Sequence, residues 1–319
     1  MKSLNVIIIS SVLLLFSCNN FFDVSEYGYG DYRKFDNTPI AKLAHSVESG
    51  DTNKIVEFLK GHPLLIDYQE PYDSLSLLMM TIVNQRKATF PYSMICDNEY
   101  CGLSLNKSQT KSFQCLLNNG ASVNVTNSTG ETPLLLACGC DYYDISFIKE
   151  LIEHGADVNY QLPEKYSDRL GNSTALQNAI RCKRYDIVKL LVEKGADVNY
   201  QDKYKNTTLG MSLYGNCYNY NTTLYLLEKG ADFRTPIVQL SIHSIRTSNI
   251  EDTCRLTLVE ELRYRVHPLG SDEYKQKMKI VEFLRRKGID YNKTKIPTTV
   301  LTQIKKEYPD TWEDYIQKY

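Results

Sequence analysis

The sequence predicts an all-α solenoid of about six helix-turn-helix repeats joined by β-turn tips, and three observations carry that prediction. One phrase recurs: Glu153-His-Gly-Ala-Asp-Val-Asn-Tyr-Gln161, Glu193-Lys-Gly-Ala-Asp-Val-Asn-Tyr-Gln201 and Glu228-Lys-Gly-Ala-Asp-Phe233, with looser copies in Asn119-Gly-Ala-Ser-Val-Asn124 and Lys287-Gly-Ile-Asp-Tyr-Asn292. Its glycines, at 120, 155, 195, 230 and 288, stand 35, 40, 35 and 58 residues apart. Apolar residues at helical spacing precede the phrase, as Phe147, Ile148, Leu151 and Ile152, and again as Ile187, Val188, Leu191 and Val192. A glycine directly after such a stripe suits a helix end, where the chain turns through a left-handed conformation. No unit of this size buries its own apolar faces, so each is stable only against its neighbours.

Composition narrows the function. The chain has 319 residues, 37 Lys plus Arg against 38 Asp plus Glu, a formal charge of −1 and 42% apolar residues. That balance argues against nucleic-acid binding driven by bulk charge, which leaves a basic footprint. It also excludes a wholly disordered chain, which needs low hydrophobicity and high net charge.

The elements follow in chain order. Met1-Lys2 opens a short apolar run that ends at Ser17-Cys18, the pattern of a secretory signal. The run is too short for a comfortable membrane-spanning helix. Leu15-Phe16-Ser17-Cys18 resembles the bacterial lipobox, although Phe16 is unusual inside it. The resemblance implies removal of residues 1–17 and lipidation of Cys18, and more than one acyl chain anchors stably. It also implies a bacterial cell envelope location, with Asn19 in place of Asp favouring the outer membrane. Residues 18–36 lack an apolar period and are expected to be a flexible tether, spanning roughly 23 Å as a coil.

Residues 37–293 are expected to hold the repeats. Thr38-Pro39-Ile40, Ala44, Val47, Gly50-Asp51 and Ile55 to Leu59 form a first unit without the Gly-Ala-Asp phrase. Ser76-Leu77-Leu78 begins a second, whose other helix carries Phe113, Leu116 and Leu117, with an insertion at about 90–110. Thr132-Pro133, Thr174, Thr207 and Thr235-Pro236 open later units, threonine as N-cap and proline where no N–H is needed. The last unit is expected to pair a helix over 237–245 with one over 278–286. Residues 248–275 lie between them as a second insertion, with an extra helix around 257–265. The outer units are atypical, as capping repeats tend to be, and residues 294–319 are expected to form a closing helix. A period near 33 with this wording resembles the ankyrin repeat.

Catalytic and metal-binding patterns are scarce. There is no glycine-rich phosphate loop, His-Glu-x-x-His or Gly-x-Ser-x-Gly. The histidines, at 45, 62, 154, 243 and 267, are not at metal-ligand spacing, and His154 reads as a cation at a helix C-terminus. Glu260-Glu261 and Asp272-Glu273 read as charged surface. Cys138-x-Cys140 and Cys96-x4-Cys101 are close pairs, but zinc usually needs four ligands. Cys138 and Cys115 occupy apolar helix positions and are expected in the core. Cys140 and Cys182 align on adjacent helices, and Cys217 competes for Cys182. The expectation is no metal, no cofactor and no enzyme. In an exported protein Cys96 and Cys101 could close a small loop as a disulfide, or remain two free thiols.

The ankyrin resemblance implies a family that binds partners without catalysing, on a concave side built from tips and first helices. The tips here are about 126–131, 161–172 and 201–206, the middle one carrying Tyr166 and Arg169. First-helix ends carry Tyr142, Tyr143, Arg181, Arg184, Tyr185 and Tyr218, residue types enriched at interface hot spots. The expected function is therefore a lipid-anchored, extracytoplasmic protein-binding module, with an inhibitory or immunity role as a specific version. No nucleic acid and no small-molecule substrate are expected. The alternatives are an enzyme with a site in 90–110 or 248–275, with His243 or His267 beside a carboxylate, and a structural envelope protein. If Cys96 and Cys101 are bridged, thiol titration of the denatured, unreduced protein will count two fewer thiols than after reduction. Equal counts refute the bridge.

Overall fold

A computed structural model describes residues 30–84, 106–139, 144–163, 174–203, 205–213, 219–239 and 254–319. The chain divides between Cys182 and Lys183 into two compact units. The first holds helix pairs α1 (Ala41–Ser49) and α2 (Thr52–Gly61), α3 (Leu77–Val83) and α4 (Lys107–Asn118), and α5 (Pro133–Cys138) and α6 (Ile145–Glu153), then the single helix α7 (Ala175–Arg181). The first helices stack in a row, α1 on α3, α3 on α5 and α5 on α7. Leu43, Leu77, Leu134 and Leu176 are buried in them, and Ile55, Phe113 and Phe147 in the second helices. The rings of Phe113 and Phe147 stand 4.6 Å apart and join α4 to α6.

Short side chains start these helices as expected. Ser76 accepts from the Met79 amide at 3.3 Å, Thr132 from Leu135 at 3.3 Å with Pro133 following, and Thr174 forms a capping box with Gln177. Each such cap contributes about 1 kcal/mol. Left-handed glycines end the second helices, Gly120 at φ 89° and Gly155 at φ 88°. Gly50, at φ 77°, has a second constraint, because a Cβ there would meet the Ser108 Cα at 2.8 Å.

The end of the expected tether is folded. Residues 32–35 form a 3-10 turn with Tyr32, Lys34 and Phe35 buried. Tyr32 donates to Gln109 Oε1 at 2.6 Å, Asn84 donates to the Gly30 carbonyl at 2.6 Å, and the Lys34 ammonium pairs with the Asp73 carboxylate. Two aromatic side chains with apolar surface to bury outweigh the lack of a helical period. Residues 18–29 lie outside the described part of the chain, as do the expected signal peptide 1–17, Cys18 and most of the first insertion.

The second unit holds α8 (Tyr185–Glu193), α9 (Thr208–Met211), α10 (Tyr220–Glu228), β1 (Ile237–Gln239), β2 (Cys254–Leu256), α11 (Leu258–Arg263), α12 (Asp272–Arg286), α13 (Thr298–Glu307) and α14 (Trp312–Lys318). Three expectations change here. Residues 237–239 are a strand, not the start of a helix, and pair antiparallel with 254–256 in the register Ile237↔Leu256. The reason lies at Thr235, whose hydroxyl donates to Asp232 Oδ2 at 2.5 Å rather than capping a helix. Ile237 instead packs against Gly210, which has no side chain to exclude it. The helix expected from 278 starts at Asp272, where Ser271 accepts from the Tyr274 amide at 3.1 Å. The closing helix is two helices, because Pro309 disfavours helical backbone at Tyr308.

The extra helix expected around 257–265 is α11, opened by a Thr257/Glu260 capping box. Among the described residues no helix is long and apolar enough to cross a membrane. The two glycine situations give a graded test in urea unfolding. Gly155→Ala, with open space around the position, will cost about 1–2 kcal/mol for left-handed strain alone. Gly50→Ala will cost at least about 1 kcal/mol more, because its Cβ also collides with backbone.

Candidate functional site

The surface that links one repeat to the next is built from the phrase itself. After each left-handed glycine, a side chain bends the backbone: Asp157 Oδ1 accepts from the Asn159 amide at 2.9 Å, and Asp197 Oδ1 from Asn199 at 2.8 Å. At Asn124 and Asn199 the asparagine reaches the following repeat. Asn124 donates to the Gly155 carbonyl at 2.9 Å and accepts from the Asp157 amide at 2.9 Å. Asn199 does the same to Gly230 at 3.2 Å and from Asp232 at 2.8 Å. In the first repeat Asp67 supplies the accepting half, from the Ser122 amide at 2.7 Å.

Three residues further on, a buried polar side chain shapes each hairpin tip. Glu70 accepts from the amides of Tyr72 and Asp73 at 2.7 Å and of Leu75 at 3.1 Å. Asn127 accepts from Thr129 at 3.1 Å and Glu131 at 2.8 Å, and Asp202 from Asn206 at 2.8 Å. Sequence reasoning missed all three, although the constant offset from Asp67, Asn124 and Asn199 was the signal. At Asn159 the same offset holds Leu162, an apolar residue.

Neighbouring tips are also tied to one another. Gln69 Nε2 donates to the Ser74 and Thr126 carbonyls, both at 2.6 Å. The Ser128 amide donates to the Asp73 carbonyl at 2.8 Å, and the Tyr160 hydroxyl donates to the Gly130 carbonyl at 2.8 Å. The result in the first unit is a row of tips with shape set before any partner arrives.

Residues 102–202 match a family model for ankyrin repeats (3 copies), and residues 183–227 match a second for ankyrin repeats (many copies). Residues 102–227 carry ankyrin repeats. A fowlpox virus (strain NVSL) protein that bears the name of an ankyrin repeat protein is 34% identical over 107 residues. The match covers 34% of this chain and 28% of that relative, less than a third of its length.

Against this ankyrin framework the expected partner-binding residues separate. Tyr142, Tyr143, Tyr166, Arg169 and Tyr218 lie outside the described residues, as do Cys96 and Cys101. Arg181 closes α7 and donates to the Asn178 side-chain oxygen. Arg184 and Tyr185 do not end a first helix; they begin the second helix α8 of their ankyrin repeat. Arg184 forks onto Asp186 at 3.0 and 2.8 Å and holds that carboxyl below its usual range. Tyr185 meets Tyr225 edge-on at 5.9 Å, with the Lys189 ammonium 4.5 Å from the Tyr185 ring.

Of the groups weighed for catalysis, His243 lies outside the described residues. Glu260 caps α11, and buried Glu261 pairs with Arg265 at 2.8 Å. Asp272 and Glu273 form the first turn of α12, where acids suit the helix N-terminus. His267 is buried against the Tyr220 hydroxyl at 2.8 Å, and burial together with the Lys277 charge holds it below its usual range. His154 donates to the Glu150 carbonyl at 2.8 Å at the end of α6. Cys138 is buried as expected, whereas Cys115 is a half-buried free thiol that burial pushes up. Among the described residues no three His, Cys, Asp or Glu side chains stand where they could hold a metal. The asparagine clasp is directly testable. Asn199→Ala will lower stability by about 1–2 kcal/mol, and Asn199→Asp by less, since Asp67 shows that a carboxylate keeps the accepting half.

Proposed function

We propose that this chain is an ankyrin-repeat module that binds a protein partner through its hairpin tips while a lipid on Cys18 holds it at a bacterial envelope. The row of tips fastened edge to edge supports the binding half of this reading. A surface ordered beforehand loses little conformational freedom on association, so its contacts go into affinity. The near-zero net charge leaves recognition to shape and hydrogen bonding rather than to bulk electrostatics. The pattern Leu15-Phe16-Ser17-Cys18 supports the anchor. Masking a toxin or an enzyme in the envelope is the specific role that suits such a module, because a rigid surface can occlude an active site without chemistry of its own.

Two measurements test the halves separately. Metabolic acyl labelling will mark the wild-type protein and be abolished in Cys18→Ser, which will leave the membrane fraction; label retained in the variant refutes the anchor. Crosslinking in intact membranes followed by purification will recover one dominant protein. Broad recovery of cell-wall material would instead make the chain a structural envelope protein. Turnover of small molecules by the pure protein, with no partner recovered, would make it an enzyme.

A further inference from the structure

Two cations are buried beneath the last helix of the second unit. Lys277 of α12 is 0% exposed, and Arg263 at the end of α11 is 3% exposed. Neither forms an ion pair with an Asp or Glu side chain among the described residues. Glu261, the buried acid on α11, is paired with Arg265 at 2.8 Å. The Lys277 ammonium position donates to the Arg265 carbonyl at 3.0 Å and lies 3.8 Å from the Tyr319 ring centroid and 5.5 Å from that of Tyr291. The Arg263 guanidinium lies over the Tyr291 ring at 3.7 Å and donates to the main-chain oxygens of Tyr319 at 3.0 Å and Tyr291 at 2.7 Å. Its Nε is buried without a partner.

Helix α14 and Tyr319 lie over this cluster and are fastened by three tyrosine hydroxyls. The Tyr319 hydroxyl donates to the Arg263 carbonyl, the Tyr315 hydroxyl donates to the His267 carbonyl at 2.5 Å, and Tyr274 donates to the Lys318 carbonyl at 2.7 Å. Tyr315 and Tyr319 also complete an apolar cluster with Val300 and Ile304 of α13. Lifting α14 would bring water to Lys277.

We propose that α14 is a proton-controlled latch: opening it and protonating Lys277 are linked, so acidification releases the helix and uncovers the apolar face of α13. The driving force is desolvation. A fully buried ammonium under aromatic rings with no Asp or Glu side chain paired to it is costly, and the cheapest relief is for the amine to give up its proton. Burial, reinforced by the charge of Arg263, lowers Lys277 to about 6. In the open, hydrated state it returns toward its usual value near 10.5. The closed state therefore holds the neutral amine across that interval and the open state the charged one. Closure is favoured fully at high pH, and its advantage is lost as pH falls, levelling off below about 6.

The other titratable groups around Lys277 act alongside it or not at all between about pH 6 and 8. His267 is held low by burial and adds in the same direction only below its ordinary value. Glu273 precedes Lys277 by one turn on α12 and favours protonation of His267. Tyr291, Tyr315 and Tyr319 are pushed up by burial and stay neutral. Tyr220, from α10, faces His267. The Glu261–Arg265 pair stays matched.

Hydrogen exchange on the full chain tests this, with protection factors corrected for intrinsic exchange. Protection of amides in 312–319 will fall about tenfold between pH 8 and pH 7, as one linked proton requires. Lys277→Met will abolish that slope. A wild-type slope of zero overturns the latch, and so does a slope that survives in Lys277→Met but vanishes in His267→Gln. Should Lys277→Met fail to fold, nitrogen NMR of the wild-type lysine side chains decides. A Lys277 signal titrating below about pH 8 supports the proposal, and one titrating near 10 overturns it.

Discussion

Asn124 and Asn199, which follow Gly-Ala-Ser-Val and Gly-Ala-Asp-Val, each give and receive one hydrogen bond across a repeat boundary, and the stacking of repeats within each unit depends on that pair. Asn124 and Asn199 reach the same two backbone groups of the following turn, the glycine carbonyl and the amide two residues later. Both groups are available because the glycine is left-handed and helical bonding has just ended. An orphan carbonyl at one helix end and an orphan amide at the next turn are thereby satisfied by a residue from another repeat. The bond is local in sequence to its own turn and non-local in its effect. It sets the spacing at which Phe113 finds Phe147 and at which successive tips can exchange main-chain bonds.

Where the phrase is missing, other chemistry takes over. Asp67 keeps only an accepting bond, and the first repeat gains its remaining fastening from outside the helix pair. Tyr32 and Phe35 bury apolar surface, and Lys34 pairs with Asp73, the residue whose carbonyl also accepts from Ser128. The strap, the first tip and the second tip are thus one connected set. A surface that binds partners by shape is only as defined as its first member, and this set defines it. The chemistry in the second unit differs, since Arg263 and Lys277 are held by main-chain oxygens and ring faces rather than by an Asp or Glu side chain.

Much of this is legible because the signals are local and repeated. Threonine caps at 132, 174 and 207, the glycine terminators, the split second repeat and the capped helix after Thr257 all follow from short-range chemistry that recurs. What misleads is a local signal with a stronger competitor. Thr235-Pro236 has the form of a helix start, but the Thr235 hydroxyl is taken by Asp232 and the chain after it pairs with residues 254–256, far along the sequence. Tyr32 and Phe35 have no helical period, so nothing in their spacing announces burial. Arg184 and Tyr185 fall just past the first helix that their position suggests, because Lys183 makes the break with a positive φ that lysine rarely adopts. Of the expected partner-binding residues, only Arg181, Arg184 and Tyr185 fall within the described part, and each has intramolecular contacts of its own.

Lys277 is illegible for a different reason. It sits in Lys275-Gln276-Lys277-Met278-Lys279, a stretch that reads as a solvated helix face, and only tertiary packing separates it from its exposed neighbours. The contrast with the asparagine clasp is physical. Asn124 and Asn199 are neutral at every pH the protein meets, so the bonds between repeats hold without regard to acidity. A buried amine has two states of very different hydration, so any closure that covers it must depend on protons. The Asn124 and Asn199 clasps are therefore built from groups that cannot switch, whereas the proposed latch closes over one that can. Conformational response of the second unit between about pH 6 and 8 should therefore start at α14.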